Sequence, residues 1–338
     1  MKIPWRTKGI VLTAPLSEGI DDVIKFIDEY LAPRGFNLIV MQVRYRYQFK
    51  RHTEVWGYDP LSLSDVKRLL DVCRKNNIKL VPKMNLIGHQ SGFPNEPTDG
   101  ILHGHNQVLP DIPDALLRAY PSFDEQRGTN EILYSRSICL SSKAAKIVVC
   151  ELIDELMDVF EADEIHIGCD EVFNAGLCPE CSKKTRAELI SSWINSLNEH
   201  IKERGGKTFI WGDRLLSTKE TCYNRWEASD DGSHSAIDML SKDITVCDWH
   251  YDKYEEYTSV DIFANKGYKI FVSPWRDKDN LEAFLNYAIK HDKGHINGVL
   301  MTTWCGSVDL ARRLLYGEKG SWLHTEQIAD TIDKTFTQ

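Results

Sequence analysis

No stretch of this 338-residue chain approaches the roughly 18 apolar residues in a row that a membrane-spanning helix needs. The opening run Met1-Lys2-Ile3-Pro4-Trp5-Arg6-Thr7-Lys8 has no apolar core of the signal-peptide kind. A soluble chain with no membrane partner is therefore expected. Positive charge is also in short supply: 41 Lys and Arg against 50 Asp and Glu leave a net charge of -9. That balance argues against a nucleic-acid partner, whose binders usually present a basic face, and is compatible with a neutral ligand such as a sugar. Low-complexity tracts and evident linkers are absent, which points to one continuous unit. The 9 cysteines are odd in number and scattered over predicted strands and helices. They fit a reducing, cytoplasmic setting better than a disulfide framework.

What the chain does have is a rhythm of short apolar run, polar loop and amphipathic stretch, the pattern of βα units around a parallel sheet. Eight such runs are found: Ile10 to Ala14, Asn37 to Val43, Lys79 to Met84, Glu164 to Gly168, Thr208 to Trp211, Ile244 to Trp249, Lys269 to Ser273 and Gly298 to Thr303. Ile20, Val23, Ile24, Ile27 and Tyr30 mark a first helix, and Val66, Leu69, Leu70 and Cys73 a second. Further helices are read at Ala144 to Phe160, Ala187 to Arg204, Ser235 to Leu240, Tyr254 to Lys266, Leu281 to His291 and Leu310 to Leu315, with a last one near Ser321 to Phe336. With 42% hydrophobic residues the chain can bury a large core. We read residues 1–338 as a single α/β domain, a (β/α)8 barrel. One segment breaks the rhythm. Leu86 to Arg136 is rich in Gly, Pro, His and Asn and includes Phe93-Pro94-Asn95-Glu96-Pro97; placed after the third strand, it is expected to wall a pocket.

The run Ile165-His166-Ile167-Gly168 is too short and too β-branched for a helix, and Gly168 permits close backbone approach where the strand ends. Asp170 and Glu171 then fall on the loop leaving the sheet. In a barrel, loops at the carboxyl ends of the strands build the active site, so a carboxylate pair there can do acid, base or electrostatic work. The plain alternative is that Asp170 caps the next helix and Glu171 is a solvated first-turn acid. Four predicted strands end in or near a tryptophan: Trp211, Trp249, Trp275 and Trp304. Indole offers a broad apolar face and one N–H donor, which suits the C–H faces and polar edges of a sugar; each could equally be a core residue capping the barrel. Asp213 and Asp248 are candidates for hydroxyl recognition or for loop caps. His166 reads as a structural histidine. Cys178-Pro179-Glu180-Cys181 is a single Cys-x-x-Cys. No second knuckle accompanies it, so it reads as two helix-start thiols that shape the loop; a metal would need a further ligand from Cys169 or a histidine.

His166-Ile167-Gly168-Cys169-Asp170-Glu171-Val172 resembles the catalytic signature of glycoside hydrolase family 20, the β-N-acetylhexosaminidases, with Cys169 where the family usually has a second glycine. The resemblance implies that Glu171 is the general acid/base and that Asp170 orients the substrate's 2-acetamido group, whose carbonyl oxygen is the nucleophile. It also implies a sugar subsite lined by tryptophans after strands five, six and eight, matched here by Trp211, Trp249 and Trp304. Trp275 stands where the family commonly has a Tyr that donates to the acetamido carbonyl, and Asp277 follows in register. Val81-Pro82-Lys83-Met84-Asn85-Leu86-Ile87-Gly88-His89 resembles Ile-Pro-Glu-Ile-Asp-Met-Pro-Gly-His, so His89 is expected to help organise the acid, with Asn85 in place of the family's Asp. Three departures concern hydroxyl recognition. Leu12-Thr13-Ala14-Pro15-Leu16 lacks the family's Asp-x-x-Arg. Gln42 and Tyr45 replace a His and an Asp, with Arg44 and Arg46 nearby as substitute contacts. Trp304-Cys305-Gly306 has lost the Glu of Trp-x-Glu.

Residues and resemblance together lead to an expected exo-acting, retaining glycosidase on a terminal 2-acetamido sugar, needing no cofactor or metal. Adjacent carboxylates on one loop cannot easily flank a sugar, and a substrate-borne nucleophile removes that need. Two alternatives stay open: a glycosidase on other sugars pairing Glu171 with a distant carboxylate such as Asp213 or Asp277, and a carbohydrate-binding barrel without turnover.

Overall fold

β-branched and aromatic residues pack well on a pleated surface, and the eight runs rich in them form eight strands in the computed structural model, which describes residues 3–90, 115–127 and 134–336. They are β1 (Thr7–Thr13), β2 (Leu38–Gln42), β3 (Lys79–Lys83), β4 (Glu164–His166), β5 (Lys207–Trp211), β6 (Thr245–Trp249), β7 (Lys269–Ser273) and β8 (Ile296–Met301). Each pairs in parallel with the next and β8 pairs with β1, closing the barrel. Because successive side chains point to opposite faces, Val11, Val40, Val81, Phe209, Cys247, Phe271 and Leu300 form one apolar cluster inside the barrel. Their neighbours Ile10, Ile39, Leu80, Ile210, Val246, Ile270 and Val299 pack in the larger cluster that includes residues of the surrounding helices. At the carboxyl ends this apolar filling gives way to polar and aromatic residues. Lys83 donates to the Gln42 Oε1 at 3.1 Å and to the Asn85 Oδ1 at 2.5 Å, and it is fully buried.

Helices at Ile20–Phe26, Leu63–Lys75, Lys143–Val159, Arg186–Glu203, Thr258–Asn265, Lys278–His291, Ser307–Tyr316 and Leu323–Thr335 follow the expected stretches. Two begin with reciprocal side-chain caps, Ser62 with Asp65 and Thr185 with Glu188, which satisfy amide groups that a helix start otherwise leaves unpaired. The expected helix at Ser235 to Leu240 is instead a single 3-10 stretch, Ser233–Asp238. After β5 the chain runs first through a long loop, and the buried Arg214 secures it by donating to the carbonyls of Arg225 at 2.8 Å, Trp226 at 3.0 Å and Ala228 at 2.9 Å. The segment after β3 contains a short helix, Ala115–Ala119; Phe93 to Pro97 lies outside the described residues. Its two ends meet, with the Gln90 N–H donating to the Arg136 carbonyl at 3.0 Å. Among the described residues no helix is long and apolar enough to cross a membrane.

β7 and β8 change register between Ile270 and Phe271. Just past that shift, a Cβ on Gly298 would fall 2.2 Å from the Thr7 carbonyl oxygen. A glycine inside a strand often marks such a backbone approach. Gly298→Ala is therefore expected to destabilise the barrel by on the order of 2 kcal/mol or more, read as a lowered denaturant midpoint; an unchanged midpoint would show that β1 and β8 can part at no cost.

Candidate active site

Beyond β4 the backbone turns sharply. Gly168 and Cys169 have φ of 76° and 79°, and Glu171 has 49°. A Cβ on Gly168 would lie 2.8 Å from the Asn85 Oδ1 and 2.9 Å from its Cα, so the loop runs hard against the end of β3. Left-handed conformations at Cys169 and Glu171 are uncommon for side-chain-bearing residues and cluster at functional sites. They turn Asp170 and Glu171 towards one histidine: the Nε2 of His89 lies 3.1 Å from the Asp170 Oδ2 and 3.3 Å from the Glu171 Oε2. Neither acid caps a helix; the Asp170 Oδ1 is buried with no hydrogen-bond partner among the described residues.

Charge follows from this geometry. Burial alone would push His89 down, but the charge and hydrogen bond of Asp170, joined by those of Glu171, raise it to about 9. Burial would likewise raise Asp170, yet His89 and the buried Lys83 hold it well below the usual carboxylate range. Lys83 itself is pushed down by burial to about 8, with Asp170 resisting. At neutral pH the site therefore contains an ionised Asp170 paired with a protonated His89.

His89, Tyr134, Asp170, Glu171, Trp211, Trp249, Tyr251, Trp275 and Trp304 line one cavity of about 250 Å3 together with Asn224, Trp226, Glu227 and Asp252. The Trp211 and Trp304 rings meet edge to face at 5.7 Å, and the Trp304 Nε1 donates to the Tyr251 hydroxyl at 2.5 Å. Tyr251 continues to Trp275 at 5.0 Å. Tyr134, from the far end of the segment after β3, packs edge to face on His89 at 5.4 Å and on Trp226 at 5.0 Å.

Several candidates sit elsewhere. Asp213 does not line the cavity. Its buried carboxylate accepts from the Glu171 N–H at 2.9 Å, the Arg214 Nε at 2.8 Å and the Trp249 Nε1 at 3.1 Å, so it positions the acid loop instead of meeting a ligand. Burial raises it to about 6 despite Arg214. Asp277 caps the helix Lys278–His291 by accepting from the Asn280 N–H at 2.8 Å and does not line the cavity. Asp248 accepts from the Ser259 hydroxyl at 2.7 Å and lies 3.1 Å from the His250 Nε2. Arg44 donates to the His89 carbonyl and Arg46 to the Ala14 carbonyl, and neither lines the cavity. His166 is fully buried, accepts from the Gly168 N–H at 3.0 Å and packs at a tilt against Trp211, ring centroids 4.5 Å apart.

Sequence reasoning did not single out Lys83, Tyr134, Asn224, Trp226, Glu227 or Tyr251. Glu227 accepts from the Tyr251 N–H at 2.8 Å and pairs with the His250 Nδ1 at 2.8 Å, bracing that wall from behind. Lys83 had a signal, a lysine at the carboxyl end of a strand after the apolar run Leu80-Val81-Pro82. The loop residues had none, since their distance from Asp170 along the chain says nothing about proximity.

The raised His89 has a consequence for stability. A base whose folded pKa exceeds its unfolded value of 6.5 contributes fully below that value and loses the contribution as pH rises through about 9. The wild-type advantage over His89→Gln should therefore shrink by on the order of 3 kcal/mol across that window. Lys83 acts with the opposite sign but is present in both proteins and cancels. Urea unfolding at intervals of pH measures the difference, and a flat difference would sink the ion pair as its cause.

Residues 40–312 match the catalytic domain of glycosyl hydrolase family 20. The lacto-N-biosidase of Bifidobacterium bifidum is 21% identical over 240 residues, 66% of this chain and 19% of that protein. The β-N-acetylhexosaminidase of Bacteroides fragilis superposes with a TM-score of 0.61 at 15% identity over 97% of this chain and 66% of its own. The Vibrio harveyi exo-β-N-acetylglucosaminidase, solved in complex with N-acetylglucosamine, gives 0.62 at 13% identity over 98% of this chain and 54% of its own. The chain thus spans a fifth of the curated relative and roughly half to two thirds of these structures, whose likeness is one of fold. Because the family's catalytic domain matches most of this chain, residues 40–312, the chain belongs to glycosyl hydrolase family 20.

Proposed function

We propose that this chain is a retaining, exo-acting glycoside hydrolase that removes a terminal β-linked N-acetylhexosamine by substrate-assisted catalysis, within a single catalytic barrel. The observation that carries this reading is Asp170: an ionised carboxylate, buried, with its Oδ1 unpartnered among the described residues beside Glu171 in a cavity walled by five tryptophans. An acetamido N–H is a donor that such an oxygen lacks. The alternative that pairs Glu171 with Asp213 or Asp277 loses support, because neither lines the cavity: Asp213 is buried and accepts three internal hydrogen bonds, and Asp277 caps a helix. Of the other acids at the cavity, Glu227 is tied to His250 and Asp252 is exposed at the rim.

In the first step the acetamido carbonyl oxygen attacks the anomeric carbon while Glu171 gives its proton to the departing glycosidic oxygen. Asp170 holds the acetamido nitrogen and balances the positive charge that develops as the oxazolinium ring closes. Glu171, now a carboxylate, takes a proton from water as that water opens the ring, which restores both the enzyme and the β configuration. The indoles of Trp211, Trp249 and Trp304 enclose the sugar ring. We assign to Tyr251, whose phenol stands on the same wall, the donation to the acetamido carbonyl that the family commonly makes with a Tyr at the position of Trp275.

Glu171→Gln should lower kcat/KM by on the order of 10²- to 10⁴-fold on substrates with poor leaving groups and spare activated aryl N-acetylhexosaminides, which need no protonation; equal loss on both would move the acid role to another residue. Asp170→Asn keeps the shape but removes the charge. It should cost most of the rate and weaken binding of an acetamido-thiazoline, an analogue of the oxazoline, since such ligands depend on interactions that strengthen during reaction. Wild-type rate and inhibitor affinity in that variant would leave the substrate-assisted mechanism without support, and absence of turnover on every aryl N-acetylhexosaminide would favour a binding barrel.

A further inference from the structure

Away from the active-site cavity, three cysteines and a glutamate that this chemistry does not use converge in the interior. The Cys139 Sγ lies 3.4 Å from the Cys178 Sγ and 3.7 Å from the Cys181 Sγ. With a carboxylate oxygen of Glu125, all four potential ligand atoms lie within 4.8 Å of one another. Each of the four residues is at most 2% exposed. The third thiol is thus Cys139, not Cys169 or a histidine, and nothing in its spacing from the Cys-x-x-Cys announced it.

We propose that Cys139, Cys178, Cys181 and Glu125 form a structural zinc site that pins the loop carrying Asp170 and Glu171 to the barrel. The separations fit: zinc–sulfur bonds of about 2.3 Å in a tetrahedron put sulfur atoms roughly 3.8 Å apart, whereas a disulfide needs about 2.05 Å. The chemistry fits as well. Three soft thiolates with one carboxylate suit Zn2+, and a closed set of four protein ligands is the structural, not the catalytic, arrangement. Two independent features point to a bound cation. The Glu125 Oε1 accepts from the Leu177 and Cys178 N–H groups at 2.7 and 3.1 Å, which orients the carboxylate, while its Oε2 is buried with no hydrogen-bond partner among the described residues. A buried carboxylate oxygen left facing sulfur atoms is costly, and a divalent cation removes the cost. The second feature is the surrounding support that metal ligands usually have. The Cys181 N–H donates to the Cys178 Sγ at 3.4 Å, and the Arg127 guanidinium lies against Cys139, where it offsets the negative charge that four anionic ligands retain around Zn2+.

The ligands join two segments. Glu125 and Cys139 belong to the chain returning from β3, which also carries Tyr134 to the cavity; Cys178 and Cys181 follow Asp170 and Glu171 on the β4 loop. The Asn174 Nδ2 donates to the Ser135 carbonyl at 2.6 Å between the same two segments. Zinc here acts as a crosslink behind the active site.

Metal analysis of the purified, full-length chain is expected to find one zinc per chain. Replacement of zinc by Co2+ should produce the intense visible bands and sulfur-to-cobalt charge transfer of a tetrahedral thiolate site. Cys139→Ser and Cys178→Ser should lose the metal, Glu125→Gln should bind Zn2+ at least tenfold more weakly, and Cys222→Ser, at an exposed cysteine outside the cluster, should retain it. A chelator should lower the unfolding temperature of wild type and leave the cysteine variants unmoved. Should the serine variants fail to fold, metal content and the cobalt spectrum of wild type still decide. Substoichiometric zinc with no thiolate bands after Co2+ addition, iron in place of zinc, or a Cys139–Cys178 disulfide in the mass spectrum of the unreduced protein would each overturn the assignment. None of these readouts depends on turnover, so they stand whether or not the hydrolase reading survives.

Discussion

The active site depends on keeping Asp170 ionised where little water reaches it. An isolated buried carboxylate would take up a proton rather than bear the loss of solvation. Here His89, 3.1 Å away, supplies a full positive charge, and Lys83 adds a second from inside the barrel. Each cation in turn is held by the protein. Arg44 and Ser135 bond the backbone of His89 through its carbonyl and N–H, and Gln42 and Asn85 accept from Lys83. The left-handed backbone at His89, Cys169 and Glu171 is tolerated because these contacts over-determine it. Cys169, at φ 79°, also shows physically why a glycine commonly stands at this place in the family. The cysteine pays conformational strain to put a buried thiol there.

A second network fixes what the first one charges. Asp213 binds the Glu171 N–H, the Arg214 guanidinium and the Trp249 indole, so one carboxylate ties the β4 loop, the β5 loop and the end of β6. Arg214 then passes the constraint along the β5 loop, which brings Asn224, Trp226 and Glu227 to the cavity. The absence of a full helix after β5 and the completeness of the cavity wall are thus one fact. Chain that would otherwise cover the barrel's outside is used at its mouth. The cysteine cluster braces the opposite flank, where the β4 loop meets the chain returning from β3.

The barrel was legible in the sequence because burial on both faces of a parallel strand leaves a near-continuous apolar run, and all eight such runs are strands in the structure. Asp170, Glu171 and the tryptophans were legible as candidates because acids and indoles at strand ends stand out against that background. Their roles were less so. Asp213 and Asp277 carry the same residue type in similar positions, yet one positions a loop and the other caps a helix, since a carboxylate is claimed by whichever donors the fold brings nearest.

By itself, the sequence determined the order of strands and helices, the position of the acid pair at the end of β4, and the net negative charge that argues against a polyanionic partner. Each of these is local: periodicity, turn chemistry and composition act over a few residues. Only the tertiary structure decided that His89 would bridge both acids, that Lys83 would lie beneath them, that Tyr134 and Tyr251 would face the same cavity, and that Cys139 would join Cys178 and Cys181. Those pairings span up to 117 residues, and closure of the barrel is what brings such distant strand ends to one mouth.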